Sequence, residues 1–284
     1  MHGPGIIVRT IEAARIPGKY GNEWQYHSRS DNHSKIACLA ITLDLMEHCA
    51  TLRRDARQEK VIFGINHEMS DFRTGRKKNL DLVLASPSAT DEDSNRTLEQ
   101  LIEAYHLVLD DAASTALQSL TQLHEGGVGA VRMALEAKAC MTAHQKARPR
   151  LYDELSSSHQ TIHGASDVAI AGGFVMVNAS NEFRSSDMNK VDLSAYPDSE
   201  HRNHHQQPSA TEGVVEKLRE LPRRTKRGAE GFDALGIIVV DMENDGGPVT
   251  LVEGPPAPEP DDIYHYESMI HRLAQLYDDR YSAS

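Results

Sequence analysis

The longest apolar stretches of this 284-residue chain, LDLVLA, VAIAGGFVMV and ALGIIVV, are all of strand length. None approaches the roughly 20 apolar residues that a membrane-crossing helix needs. Short apolar runs bounded by polar turns are the pattern of strands buried in a sheet, and the segments between them carry helical periodicity. The expectation is an α/β fold in which a mixed central sheet is flanked by helices, with residues 1–284 forming one domain and no membrane as partner. The first fifteen residues, MHGPGIIVRTIEAAR, lack the basic start, apolar stretch and cleavage site of a secretory leader, so a cytoplasmic protein is expected. Cys38, Cys49 and Cys140 are too scattered for a disulfide framework and are expected in the core.

Along the chain, Ile36, Leu39, Leu43, Met46 and Ala50 recur at steps of three or four. They predict one amphipathic helix over residues 34–54, capped by Asn32 or Ser34. KVIFGINHEM and KNLDLVLASP read as a hairpin whose turn holds Gly75. A polar stretch over residues 87–96 leads into one or two helices that end at Gly126 and Gly127. The strand VRMALEAKAC follows, then a helix over residues 142–157 and the strand DVAIAGGFVMVNAS. Residues 181–209 read as a loop, residues 211–224 as a helix and ALGIIVVDME as a further strand. A last helix begins at Asp261 or Asp262, with Ile263, Tyr266, Met269, Leu273 and Leu276 on one face.

The net charge of −12 argues against a nucleic-acid partner only until its distribution is considered. Residues 228–284 hold twelve Asp and Glu against two Arg, so the rest of the chain is close to neutral. Three basic clusters lie there: Arg53, Arg54, Arg57 and Lys60; Arg73, Arg76, Lys77 and Lys78; and Lys217, Arg219, Arg223, Arg224, Lys226 and Arg227. Local potential, more than total charge, governs phosphate binding.

In VRMALEAKAC the alternation of side chains puts Glu136 and Lys138 on one face. In NLDLVLA it puts Asp81 with Val83 and Ala85, opposite a face of Leu80, Leu82 and Leu84. Two carboxylates on neighbouring strands offer hard oxygen ligands for Mg²⁺, and a lysine two residues beyond the glutamate reaches an attacking water. Asp81 followed by Glu136-Ala137-Lys138 resembles the motif of the PD-(D/E)XK nuclease superfamily. That resemblance implies a restriction-endonuclease-like core, α-β-β-β-α-β, over residues 34–180. It makes residues 96–127 a helical insertion and residues 181–284 a C-terminal α/β extension. It further implies catalytic roles for Asp81, Glu136 and Lys138, and Mg²⁺, with Mn²⁺ able to substitute, on Asp81, Glu136 and the carbonyl of Ala137. Leu80 stands where the family carries proline. Asp110 and Asp111 are rivals for the role of Asp81, and Glu47 and Glu68 beside His67 are candidate further ligands.

The turn before Asp81 supplies Arg73, Arg76, Lys77 and Lys78, and the segment after Lys138 supplies His144, Gln145, Lys146, Arg148 and Arg150. Both sets are expected to line a DNA groove. His201, His204 and His205 lie in a polar loop without nearby cysteine. GGVGAV lacks the Lys-Ser/Thr of a P-loop, and no G-x-S-x-G nucleophile motif occurs. The reading is a Mg²⁺-dependent DNA endonuclease, of the type II-like restriction or defence kind and acting as a homodimer on duplex DNA. The alternatives are a repair or recombination nuclease of the same fold, or a non-catalytic DNA-binding or assembly protein.

Overall fold

In a computed structural model of the protein, residues 1–89 and 96–282 are described; residues 90–95 of the expected polar stretch, and 283–284, lie outside them. The helices are α1 (Gly3–Ala13), α2 (Asn32–His48), α3 (Ala50–Arg57), α4 (Leu98–Ala104), α5 (Asp111–Ser119), α6 (His144–Ala165), α7 (Ser209–Arg219) and α8 (Tyr266–Tyr281). The central sheet contains β1 (Ile62–Ser70), β2 (Lys77–Pro87), β3 (Val128–Cys140), β4 (Ile170–Asn178), β5 (Ala234–Asp241) and β6 (Thr250–Leu251). Their spatial order is β6-β5-β4-β3-β2-β1.

The connections dictate the strand directions. β1 and β2 are joined by the short turn in which Gly75 adopts φ 70°, so they pair antiparallel, and β3 pairs antiparallel with β2. β3, β4 and β5 are parallel because α6 and α7 carry the chain back across the sheet between them. β4 is buried at every position, as a central parallel strand must be. A Cβ at Gly172 would stand 2.6 Å from Leu135 and 3.3 Å from Leu273, so only glycine lets α8 lie this close to β4.

Two helical layers cover the sheet. α1, α2, α3 and α8 pack on one face around Leu39, Leu43, Ile270 and Leu273, and α6 and α7 cover the other with Leu155, Ile162 and Val214. The last helix thus shares a face of the sheet with α2, and the strand ALGIIVVDME extends that same sheet.

Several boundaries differ from the sequence reading. The helix expected over residues 34–54 breaks at Cys49, which is extended at φ −109°, ψ 105°; its Sγ accepts the Leu52 N–H that opens α3. Neither Asn32 nor Ser34 caps α2, since Ser34 donates its hydroxyl to the Asp31 carbonyl. α5 ends at Ser119, well before Gly126, and residues 121–127 are not helical, with Glu125 bridged to Phe63 of β1 and His124 to Thr97. α6 continues to Ala165, and α8 starts only at Tyr266 because Asp262 accepts the Tyr264 N–H in a turn; Ile263 is left exposed while Tyr266, Met269, Leu273 and Leu276 are buried.

One buried carboxylate ties the first and last helices to α2. Asp44 accepts the His2 and Gly3 N–H groups at 2.8 and 2.9 Å and the Tyr266 hydroxyl at 2.8 Å. Removing it strands three donors away from water, so Asp44→Ala is expected to lower stability by about 3 kcal/mol or more. A urea denaturation midpoint within error of wild type at unchanged slope would refute that linkage.

Candidate functional site

β2 and β3 pair from Pro87↔Val128 to Leu82↔Leu135, and there the ladder ends. The next residues outward are Asp81 on β2 and Glu136 on β3, so the two carboxylates stand where the strands part. On its other edge β2 pairs with β1 in a single register from which only the Asn66 and Asp81 positions are missing. Asn66 adopts φ 52°, the left-handed region that asparagine tolerates better than most residues. Side-chain alternation inverts across this step. Phe63, Leu82 and Leu84 face α2, whereas Met69 and Leu80 join Val83 and Ala85 on the α6 side. The continuous leucine face expected for β2 is therefore broken at Asp81.

The Asp81 carboxylate lies across the break. Its Oδ2 accepts the Ala137 N–H at 3.0 Å, and its Oδ1 accepts from Lys35 Nζ at 3.1 Å. Lys35 arrives from the first turn of α2 and is 1% exposed. Its Nζ also donates to the Asn66 side chain and to the Asp81 carbonyl; three acceptors require the three N–H groups of an ammonium. Burial alone would raise the Asp81 pKa. Lys35, Lys138 and the Ala137 N–H outweigh it and hold the group below its ordinary 3.8, so Asp81 is ionised at neutral pH.

Glu136 is 1% exposed. Lys138 Nζ and Lys78 Nζ stand 2.7 and 3.3 Å from its Oε1 as ion pairs. Among the described residues its Oε2 has no hydrogen-bond partner. A carboxylate this buried needs such cations beside it. Burial would lower the Lys138 pKa, but Glu136 and Asp81 prevail and hold it above the ordinary lysine value. For Lys78, which also donates to the Glu154 carbonyl of α6 at 2.8 Å, burial prevails over the attraction of Glu136 and its pKa is lowered. His33, beside this cluster, is driven by burial down to about 4 and is neutral.

An extended residue turns its N–H and C=O to the same strand edge. The Ala137 carbonyl therefore faces the same opening as the N–H that Asp81 accepts. Two carboxylates and a backbone carbonyl form a hard oxygen donor set of the kind that Mg²⁺ takes. The rival acids are committed elsewhere. Asp110 caps α5 through the Ala113 N–H and pairs with Arg9, Asp111 lies exposed in the first turn of α5, Glu47 pairs with His2, and Glu68 pairs with Lys77.

Of the three basic clusters, one lies beside the opening. Arg53 and Arg54 hydrogen-bond carbonyls at the ends of α2 and α8, and Arg54 also pairs with Asp55. Lys217, Arg219, Arg224 and Arg227 pair with Glu220, Asp262, Asp233 and Asp167, so nearby acids, two of them from residues 228–284, neutralise much of that cluster. The turn before β2 keeps Arg73 and Arg76 exposed, with hydrogen bonds to Gln160 and Ser157 near the end of α6. At the other end of that helix, Gln145 and Lys146 are exposed beside a groove of ≈ 540 Å³ shared with the His201–His205 loop. Arg148 lies over Gly213 of α7, Arg150 pairs with Glu154, and His144 turns inward to bond the Asn178 carbonyl at 2.8 Å. α6, about 33 Å long, thus has basic side chains toward both ends and the Lys78–Glu136–Lys138 cluster near its middle. Among the described residues, the three loop histidines form no cluster fit for a metal.

Lys35 is the site residue that sequence periodicity missed. A stripe of Ile36, Leu39, Leu43 and Met46 leaves Lys35 on what should be the polar side, but α2 is buried all round from Ser34 to Met46 and has no polar side. Comparison with family models, with curated proteins and with solved structures finds no match to the chain.

Asp81→Asn leaves the Lys35 ammonium buried without its counter-ion, and the expected loss of stability is about 3–5 kcal/mol at neutral pH. Adding Lys35→Met should restore part of it, which a double-mutant cycle in urea will show. Since folding lowers the Asp81 pKa, its contribution is complete above the unfolded value and fades as pH falls through the folded one. The gap between wild type and Asp81→Asn should stay flat above about pH 5 and shrink below about pH 4. A gap that closes between neutral pH and pH 6 would assign the effect to another group.

Proposed function

We propose that the protein is a Mg²⁺-dependent endonuclease that hydrolyses phosphodiester bonds of duplex DNA, of the restriction-endonuclease-like kind that its D…E-x-K motif resembles. The observation that carries this reading is the meeting of Asp81, Glu136 and Lys138 where two neighbouring strands separate, with a buried Glu136 whose Oε1 is held by lysines and whose Oε2 has no partner among the described residues. The order α2-β1-β2-β3-α6-β4, with α4 and α5 inserted between β2 and β3, supports it. So do the exposed Arg73, Arg76 and Lys77 at one end of α6 and Gln145 and Lys146 at the other.

Asp81, Glu136 and the Ala137 carbonyl would hold the ion, which supplies Lewis acidity to the phosphodiester and a more acidic water. Lys138, kept charged by its carboxylate neighbours, orients that water and offsets the charge that builds on the phosphoryl oxygens. The basic side chains along α6 hold backbone phosphates and fix the strand's position. Cutting both strands with one site per chain calls for a second copy as partner, which makes a homodimer the working form in this reading.

Incubation of the purified protein with plasmid and Mg²⁺ should give nicked and linear products that EDTA abolishes. Lys138→Ala should lose a hundredfold or more of the cleavage rate while keeping most DNA affinity, because its charge acts mainly in the transition state. Arg76→Ala should instead weaken binding and flatten its salt dependence by about one unit of slope. Cleavage that survives EDTA, or a Lys138→Ala protein with wild-type rate, would overturn the assignment.

A further inference from the structure

The charges around the opening do not resemble those of a site built for two divalent ions. Asp81 and Glu136 supply two carboxylates, and among the described residues no group of three or more His, Cys, Asp or Glu side chains comes together to add a third. Lys35, Lys78 and Lys138 supply three ammoniums, two of them within 3.3 Å of Glu136 and the third within 3.1 Å of Asp81. The fixed groups alone thus carry a formal excess of one positive charge. Lys78 and Lys138 are partly exposed, at 18% and 26%. Lys35 is sealed from solvent: it is 1% exposed and its Nζ is held by three oxygens.

Two-metal phosphodiesterase sites place their ions about 3.5–4 Å apart and hold both through shared carboxylates. Here the oxygen of Asp81 that a second ion would share already carries an ammonium. Resting on the nuclease reading above, we propose that the site takes one divalent cation, on the Glu136 and Ala137 side of the opening, and that Lys35 serves as a built-in cation in the place of a second. In this scheme Lys35 occupies Asp81 Oδ1 and balances the carboxylate without touching substrate.

Mn²⁺ titration of the full chain, followed by electron paramagnetic resonance of the free ion, tests this without any measurement of cleavage. The expected stoichiometry is one Mn²⁺ per chain, lost in Glu136→Gln. Lys35→Met, with folding checked by circular dichroism, should bind Mn²⁺ at least tenfold more tightly because a fixed positive charge beside the ion is gone. Two ions per wild-type chain would overturn the proposal and leave the nuclease reading standing. No ion bound by wild type would overturn both. A folded Lys35→Met protein with wild-type Mn²⁺ affinity would remove Lys35 from the site, and if that variant does not fold, the wild-type stoichiometry decides.

Discussion

A lysine buried to within 1% of its surface, with an aspartate across it, is an expensive thing to place in a protein interior. Desolvating the two ions costs several kcal/mol each, and their mutual attraction returns that only when further hydrogen bonds complete the geometry. Here the completion is visible in the strand break itself. Asn66 adopts a left-handed conformation, its side chain accepts from Lys35, and Asp81 spends its second oxygen on a backbone N–H of β3. The ladder between β2 and β3 stops at this point, side-chain alternation inverts in β1 and β2, and Glu136 lies buried beside the break. A well-packed apolar pair would be at least as stable in this position. The arrangement therefore makes sense for what it holds open.

The same economy of charge runs through the rest of the molecule. A net charge of −12 suggests a chain that repels polyanions, yet much of the acidity is spent internally. Asp233 and Asp262 answer Arg224 and Arg219, Glu243 and Asp245 answer Arg202, and Asp55 answers Arg132. The exposed side chains of the turn before β2 and of the start of α6 include Arg73, Arg76, Lys77 and Lys146, although Asp71 and Glu68 answer Arg73 and Lys77. Local potential at the strand break depends on side chains within a Debye length, about 10 Å, and little on acids on the far side of the sheet.

Much of this was legible in the sequence. The three apolar runs became β2, β4 and β5, and the alternation in VRMALEAKAC placed Glu136 and Lys138 on one face, where they meet. The stripe Tyr266, Met269, Leu273, Leu276 marked a helix that needed covering, and α2 with the sheet covers it. Periodicity failed where tertiary context overrode it. It cannot report a strand break that depends on one left-handed asparagine, so it set Leu80 on a face it does not share with Leu82. It assigned Lys35 to solvent because lysine is polar, although the neighbours that bury α2 on every side come from residues far along the chain. It also ran one helix through Cys49, where Asp278 of α8 takes the Thr51 N–H and helps divide it in two.

α2 connects these observations. Its first turn carries Lys35 to Asp81, and nine residues on, about 13 Å along its axis, Asp44 receives the backbone of α1 and the hydroxyl of Tyr266. Two helices from distant parts of the chain therefore fix the axial position of the helix that supplies the buried cation. A shift of α2 by even 1 Å would stretch the 3.1 Å contact between Lys35 and Asp81 beyond a hydrogen bond, and the Asp81 carboxylate would lose the anchor that sets its orientation. Loosening at Asp44 is thus mechanically coupled to the opening between β2 and β3 through one rigid helix. The coupling needs no chain of intermediate residues, because a buried helix packed on all sides moves as a unit.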